Sequence, residues 1–267
     1  MTKITQFGCC RTGSTLVKRI LDDVFPESIV ERRIPAQHEP TEMKNFSGVV
    51  WSAKESFSTA YNHLECHQVK FDDGEKVVCT VRDPVDVLAS HVRTYHFGNK
   101  KKLSDKIKVD QEILNKRMEG MFFEFKNFWN TIDEHDNEFL FLKYEDFWNN
   151  YSYIFDNLES FFNVKIDQHQ RDKTKDKVCI NETLKIQQKI VESVDNPTLE
   201  YPFPEDIVRD TNFDKKNYFG YYDTASVIHA NHIMTPQPKS ARKIFTEKQI
   251  VLIKEKYTEF IDKWKKL

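Results

Sequence analysis

Two short stretches of this sequence carry residue types that bind phosphate. The first is Gly8-Cys9-Cys10-Arg11-Thr12-Gly13-Ser14-Thr15, in which two glycines bracket four residues and two hydroxyl side chains follow. Placed between a strand and a helix, the backbone N–H groups of such a loop and the helix N-terminus form a cradle for an anion. The spacing is that of a Walker A loop, but Ser14 stands where its lysine belongs and the basic residue, Arg11, lies inside the loop. The lysine that bridges the β- and γ-phosphates of a nucleoside triphosphate is therefore missing. No aspartate is convincingly placed for Mg²⁺ either, because Asp83 reads as a helix cap. The loop suits a nucleotide with one strongly anionic 5′ end and no obligatory metal.

The second stretch is Val81-Arg82-Asp83-Pro84, with Ser90 eight residues beyond Arg82. Arg82 follows an apolar run, Lys76–Val81, that reads as a strand. An arginine at a strand end and a serine two turns into the next helix can converge on one phosphate. In a parallel sheet both stretches open on the same edge and can face one crevice.

The elements that position them follow from local pattern. Lys3–Phe7 is a short apolar run stopping at Gly8, and Ser14–Phe25 has Leu16, Ile20, Leu21 and Val24 at helical spacing. Further strands are expected at Ser28–Val30, Val49–Ser52, Lys76–Val81 and Phe139–Lys143. Helices are expected from Asp83 (cap) and Pro84 to Phe97, over Gln111–His135, and over Tyr151–Phe162. Strands alternating with helices predict an α/β fold, a parallel β-sheet flanked by helices on both faces. From Asp167 to Arg242 the pattern weakens to loops and short helices lying over the sheet edge, and Thr246–Trp264 closes the chain as one amphipathic helix. Along that helix Ile250, Leu252, Ile253, Tyr257 and Ile261 are expected to be partly buried. The whole of residues 1–267 reads as a single domain, with the core sheet in about 1–165 and capping, substrate-side loops and a closing helix in about 166–267.

Composition narrows the function classes. With 39% hydrophobic residues, 21 Phe and a net charge of −2, the chain can build one core and has no global basic field for nucleic acid. The N-terminus MTKITQF has no apolar h-region and no run is long enough to span a membrane, so a cytoplasmic protein is expected. Five cysteines (Cys9, Cys10, Cys66, Cys79, Cys179) are odd in number and lack paired spacing, which predicts free thiols in a reducing compartment. Cys66 with His63 and His67 is an incomplete metal set, and no metal is expected.

The chain resembles the PAPS-dependent sulfotransferases (PAPS is 3′-phosphoadenosine 5′-phosphosulfate). Gly8–Leu16 is similar to their 5′-phosphosulfate loop. VVCTVRDPVDVLASHV, Val77–Val92, is similar to their 3′-phosphate motif with Arg and Ser eight apart. FLFLKYEDFWNN, Phe139–Asn150, resembles a later strand-then-YED segment, and HIMTPQPKSARKIFTEKQ, His232–Gln249, loosely resembles the region that closes over the cofactor. The resemblance implies a P-loop-like sulfotransferase fold with PAPS as co-substrate. Backbone amides of Thr12, Gly13, Ser14, Thr15 and Leu16 would hold the 5′-phosphosulfate, helped by Arg11 and by the Thr12, Ser14 and Thr15 hydroxyls. Arg82 and Ser90 would hold the 3′-phosphate, with Lys239, Ser240 and Arg242 closing over it.

Many members carry a Lys-x-His at the end of the third strand. Here Lys54 matches the lysine, but Ser56 stands where the histidine would be. The general base is then open. Glu55 comes first, His38 and Glu39 of the QHEP segment second, and His63 third. The acceptor, a hydroxyl or amine of a small molecule or carbohydrate, is not legible. Two other classes remain beside a sulfotransferase: a P-loop kinase, and a nucleotide-binding module without catalysis.

Overall fold

The computed structural model describes residues 3–33, 50–52, 71–97, 109–195, 207–209, 220–223, 226, 228–230 and 237–267. Strand β1 (Lys3–Gly8) leads through the loop into helix α1 (Ser14–Val24) and then β2 (Ile29–Arg33). After β3 (Val50–Ser52), β4 (Lys76–Val81) feeds α2 (Pro84–Phe97), and α3 (Gln111–Asp133) precedes β5 (Phe139–Lys143). The Asp83 side chain caps α2 as expected, accepting from the Val85 N–H at 2.8 Å.

The five strands lie in the order β3-β2-β1-β4-β5. β1 pairs in parallel with β2 and β4, and β4 with β5. The chain steps outward on one side of β1 to β2, then returns to add β4 on the other. The carboxyl ends of β1 and β4 thus flank a topological switch point, where α/β sheets open a crevice. The sheet is not wholly parallel, since β3 pairs antiparallel with β2. A reversed edge neighbour needs no crossover helix, so strand–helix alternation cannot reveal it.

Side-chain alternation along β4 separates two cores. Val77, Cys79 and Val81 join Phe7 against α2 and α3. Val78 joins Ile4 against α1 and against α5 (Tyr151–Phe162), which follows the short α4 (Tyr144–Phe147). The first core is aromatic: the Phe7 ring stacks on Phe128 at 4.9 Å and meets Phe71 edge-on at 5.4 Å. Burying one such ring is worth about 1.5–3 kcal/mol.

The stretch expected to be loops and short helices holds α6 (Gln168–Val178) and α7 (Ile180–Asp195). It also holds a small antiparallel sheet in the order β6-β7-β8, from β6 (Ile207–Arg209), β7 (Tyr221–Asp223) and β8 (Ile228–His229), with its own cluster around Ile190. α6 escaped the pattern reading because it buries only Thr174 and Val178. Polar contacts dock it on α1 instead: Asp23 accepts from Gln170, Thr174 and Lys177.

The closing helix is two helices, α8 (Glu247–Lys256) and α9 (Thr258–Lys266). The break falls at Tyr257, which is buried and donates its hydroxyl to the Met118 carbonyl at 2.8 Å. Leu252, expected on the buried face, is 38% exposed. Thr246 caps α8 with a complete capping box to Gln249. Replacing Thr246 by Ala is expected to destabilise the fold by about 1 kcal/mol, read as a lower denaturant midpoint.

Candidate active site

The loop after β1 is shaped by its glycines and by Thr12. In register, Gly8 lies opposite Thr80 of β4. A Cβ on Gly8 would run into the Thr80 hydroxyl and come within 2.8 Å of its carbonyl. Gly13, with φ +88°, is required twice: a Cβ there would also meet Phe147 at 2.7 Å and Tyr144 at 2.9 Å. Thr12 is buried, and its hydroxyl donates to the Cys9 carbonyl at 2.7 Å and meets Thr80 Oγ1 at 2.8 Å. That hydroxyl ties the loop to β4. Arg11 between them takes a left-handed φ of +68°.

Helix α1 begins with Gly13 as its cap, no side-chain capping bond and no acidic residue in the first turn. The first N–H groups of a helix have no intrahelical partner, so this terminus presents its positive end beside the loop. The Leu16 N–H departs from the expected cradle, donating to the Gly13 carbonyl at 3.1 Å. Ser14 is buried and Thr15 half-buried at the same end.

Arg82 reaches this loop from the end of β4. Its side chain is buried, and Nη1 donates to the Arg11 carbonyl at 3.3 Å. Nη2 reaches the Gln237 carbonyl at 3.5 Å, with Asp86 Oδ2 at 3.8 Å. Nε is buried and has no hydrogen-bond partner among the described residues. The guanidinium lies 4.2 Å from the centre of the Tyr144 ring, a cation–π contact. Ser90, on the helix that follows, accepts from Arg11 Nε at 3.2 Å. The structure therefore gathers Arg11, Arg82 and Ser90 in one place.

A family model described as a sulfotransferase domain matches residues 4–229. The chain belongs to the sulfotransferase-domain family. Among solved structures, it resembles the mouse sulfotransferase SULT7A1 complexed with PAP, with a TM-score of 0.53 at 13% identity, covering 97% of this chain and 84% of that one. It also resembles retinol dehydratase in complex with androsterone and inactive cofactor PAP, with a TM-score of 0.52 at 14% identity over 97% and 80% of the two chains. No curated protein matches by sequence.

Four residues that sequence reasoning missed, Asp86, Tyr144, Glu145 and Glu124, pack around this candidate site. Asp86 is buried in the first turn of α2 and accepts from the backbone N–H of Lys239 and, at 3.0 Å, of Ala241. It thereby joins Arg82 to the closing turn; the i, i+4 spacing from Arg82 was the available signal. Glu145 of the YED segment accepts from the Asp83 N–H at 3.0 Å, so Tyr144 and Glu145 together brace the Arg82 strand end. Glu124 of α3, fully buried, accepts from the Cys10 N–H and, at 3.4 Å, from its thiol.

Of the closing-turn candidates, Ser240 is buried, Lys239 is exposed with φ +60°, and Arg242 is exposed and lies 3.6 Å from Glu247. Arg242 is thus on the solvent side. Lys54, Glu55, His38, Glu39, His63, Cys66 and His67 lie outside the described residues. Cys9, Cys10, Cys79 and Cys179 form no disulfide with one another. Burial, then the Glu124 charge, pushes the Cys9 thiol well up, and burial does the same to Cys79. Both stay protonated at neutral pH and are poor nucleophiles. No helix among the described residues is long and apolar enough to cross a membrane.

Burial, then the Arg117 and Arg11 charges, pushes the His91 imidazole down to about 3. The folded state therefore keeps His91 neutral while the unfolded chain protonates it near 6.5. The unfolded state binds more protons in between, so the contribution is present above about pH 6.5 and is lost as pH falls toward 3. Its slope approaches about 1.4 kcal/mol per pH unit. His91→Gln is expected to flatten the loss of stability between pH 6.5 and pH 4 in paired denaturant titrations. Equal slopes for the two proteins would contradict a buried neutral imidazole.

Proposed function

We propose that this protein transfers a sulfuryl group from PAPS to a hydroxyl or amine of a small-molecule or carbohydrate acceptor. The observation that carries the reading is Arg82. A buried guanidinium whose Nε–H has no partner among the described residues, beside the N-terminus of α1 with glycine at its cap, fits a ligand with an anion at each end. The residues suit PAPS better than a nucleoside triphosphate because the lysine of an ATP loop is replaced by Ser14 and the basic residue, Arg11, lies inside the loop. PAP in the two structural relatives agrees with this ligand class.

In this reading Arg82 and Ser90 hold the 3′-phosphate. A hydroxyl has one proton and two lone pairs, so Ser90 can accept from Arg11 and still donate to a phosphate oxygen. The Gly13, Ser14 and Thr15 amides face the 5′ end. When bound, PAPS supplies the sulfuryl group and a 5′-phosphate leaving group. Arg11 stabilises the charge that grows on the bridging oxygen, an electrostatic role, because a guanidinium does not give up its proton at neutral pH. Glu55 remains the first choice for the base that takes the acceptor's proton.

Adenosine 3′,5′-bisphosphate is expected to raise the melting temperature more than ATP or ADP at equal concentration without Mg²⁺. A larger shift with ATP would overturn the cofactor reading. Arg82→Ala should weaken bisphosphate binding by about 1.5–3 kcal/mol, measured by calorimetry. Arg11→Ala should lower turnover more than affinity, and a loss of affinity alone would refute the role given to Arg11. A protein that binds the bisphosphate yet transfers sulfate to no acceptor in a broad screen would be a binding module.

A further inference from the structure

We propose that Glu124 is a positioning residue for the anion loop. By gripping Cys10 it turns the first half of the loop inward and fixes the left-handed conformation of Arg11. The inference rests on the cofactor reading above.

Glu124 lies on α3 beneath the loop with no solvent exposure. A buried carboxylate is costly unless it is hydrogen-bonded. Here one oxygen accepts from the Cys10 N–H, the other accepts from the Cys10 thiol at 3.4 Å, and the Glu124 backbone carbonyl accepts from the Cys9 thiol at 3.8 Å. The Cys10 N–H therefore points into the core and is withdrawn from the cradle. The next residue is Arg11, at φ +68°. For a residue with a Cβ that conformation is unfavourable and persists only where its neighbours over-determine it. Glu124 holds the residue before it, and the Thr12 hydroxyl, bonded to the Cys9 carbonyl and Thr80, holds the residue after it. Arg11 is then the pivot: its carbonyl accepts from Arg82 and its Nε donates to Ser90. Glu124 acts on the ligand through Arg11 without touching it.

Two variants separate reach from charge. Glutamine has the same length, and its amide oxygen can accept from the Cys10 N–H. Aspartate keeps the charge but is one methylene shorter. Bisphosphate affinity by calorimetry, well below the melting temperature of each protein, and amide exchange across the loop are the readouts. Glu124→Gln should bind within about threefold of wild type, and Glu124→Asp about tenfold or more weakly. The Cys10 amide should be protected in wild type and Glu124→Gln and exchange rapidly in Glu124→Asp. A residue that only fills the core would lower melting temperatures and leave affinity unchanged, which overturns the proposal. So would weaker binding by Glu124→Gln than by Glu124→Asp, since charge would then govern the site. If wild type did not bind the bisphosphate, the cofactor reading would fail, and amide exchange would still decide the role of Glu124. Should Glu124→Asp not fold, rapid exchange of the Cys10 amide in folded wild type is sufficient to overturn it.

Discussion

The shape of the site depends on one buried chain of hydrogen bonds between β1, the loop and β4. The Thr12 hydroxyl donates to the Cys9 carbonyl at 2.7 Å. A hydroxyl has a single proton, so the 2.8 Å contact between Thr12 and Thr80 must have Thr80 as donor. Thr80 in turn accepts from Gln6 Nε2 at 3.1 Å. Gln6, Thr80, Thr12 and Cys9 thus form a directed chain in which every link fixes the next. All four residues are buried, and leaving one donor unmade there costs about 1–3 kcal/mol. Gly8 is the condition for this chain, because a side chain at that position would occupy the space Thr80 uses. A left-handed Arg11 follows from a loop pinned at both ends.

The same geometry concentrates positive charge. Arg82 is buried, and Asp86 Oδ2 stands off at 3.8 Å. Both Asp86 oxygens already accept from the backbone N–H groups of Lys239 and Ala241. Asp86 is therefore better placed to hold the closing turn than to neutralise the guanidinium. Burial raises the Asp83 carboxyl, and the Asp86 charge raises it further; burial likewise raises Glu145. Two carboxyls at the Arg82 strand end, Asp83 and Glu145, thus hold their charge less readily than a free carboxylate.

What the sequence shows of this fold is what local chemistry determines. The β1–loop–α1 unit is readable because glycines, hydroxyls and apolar spacing coincide within 25 residues, and the start of α2 because Asp83 and Pro84 are cap and first-turn residues. α6 is not readable, since its docking uses side-chain hydrogen bonds to Asp23 and no apolar stripe. The direction of β3 is not readable, since an edge strand pairs on one side and can run either way. Glu124 and Asp86 were missed for a shared reason. Their partners are backbone N–H groups 114 and 153 or 155 residues away, and an ordinary helix carboxylate gives no sign of such a pairing. Arg11, Arg82 and Ser90 were found from motif spacing, but their meeting through Ser90 and the Arg11 carbonyl is a product of tertiary structure.

The two halves of the site are held by different parts of the chain. Arg11 is set by β1, β4 and, through Cys10, by α3. Arg82 is set by Tyr144 on one side and by the closing turn on the other, through Gln237 and Asp86. That turn lies just before α8, which is tied to the start of α3 by Gln249 Nε2 donating to the Val109 carbonyl at 2.9 Å. Tyr257 adds a second tie to α3 through the Met118 carbonyl. Helix α3 therefore supports both cations, one through Glu124 near its centre and one through the C-terminal segment packed along it. One helix thus braces the surroundings of two arginines that differ by 71 positions in sequence. The longest helix of the described residues is packed into the core next to the candidate site.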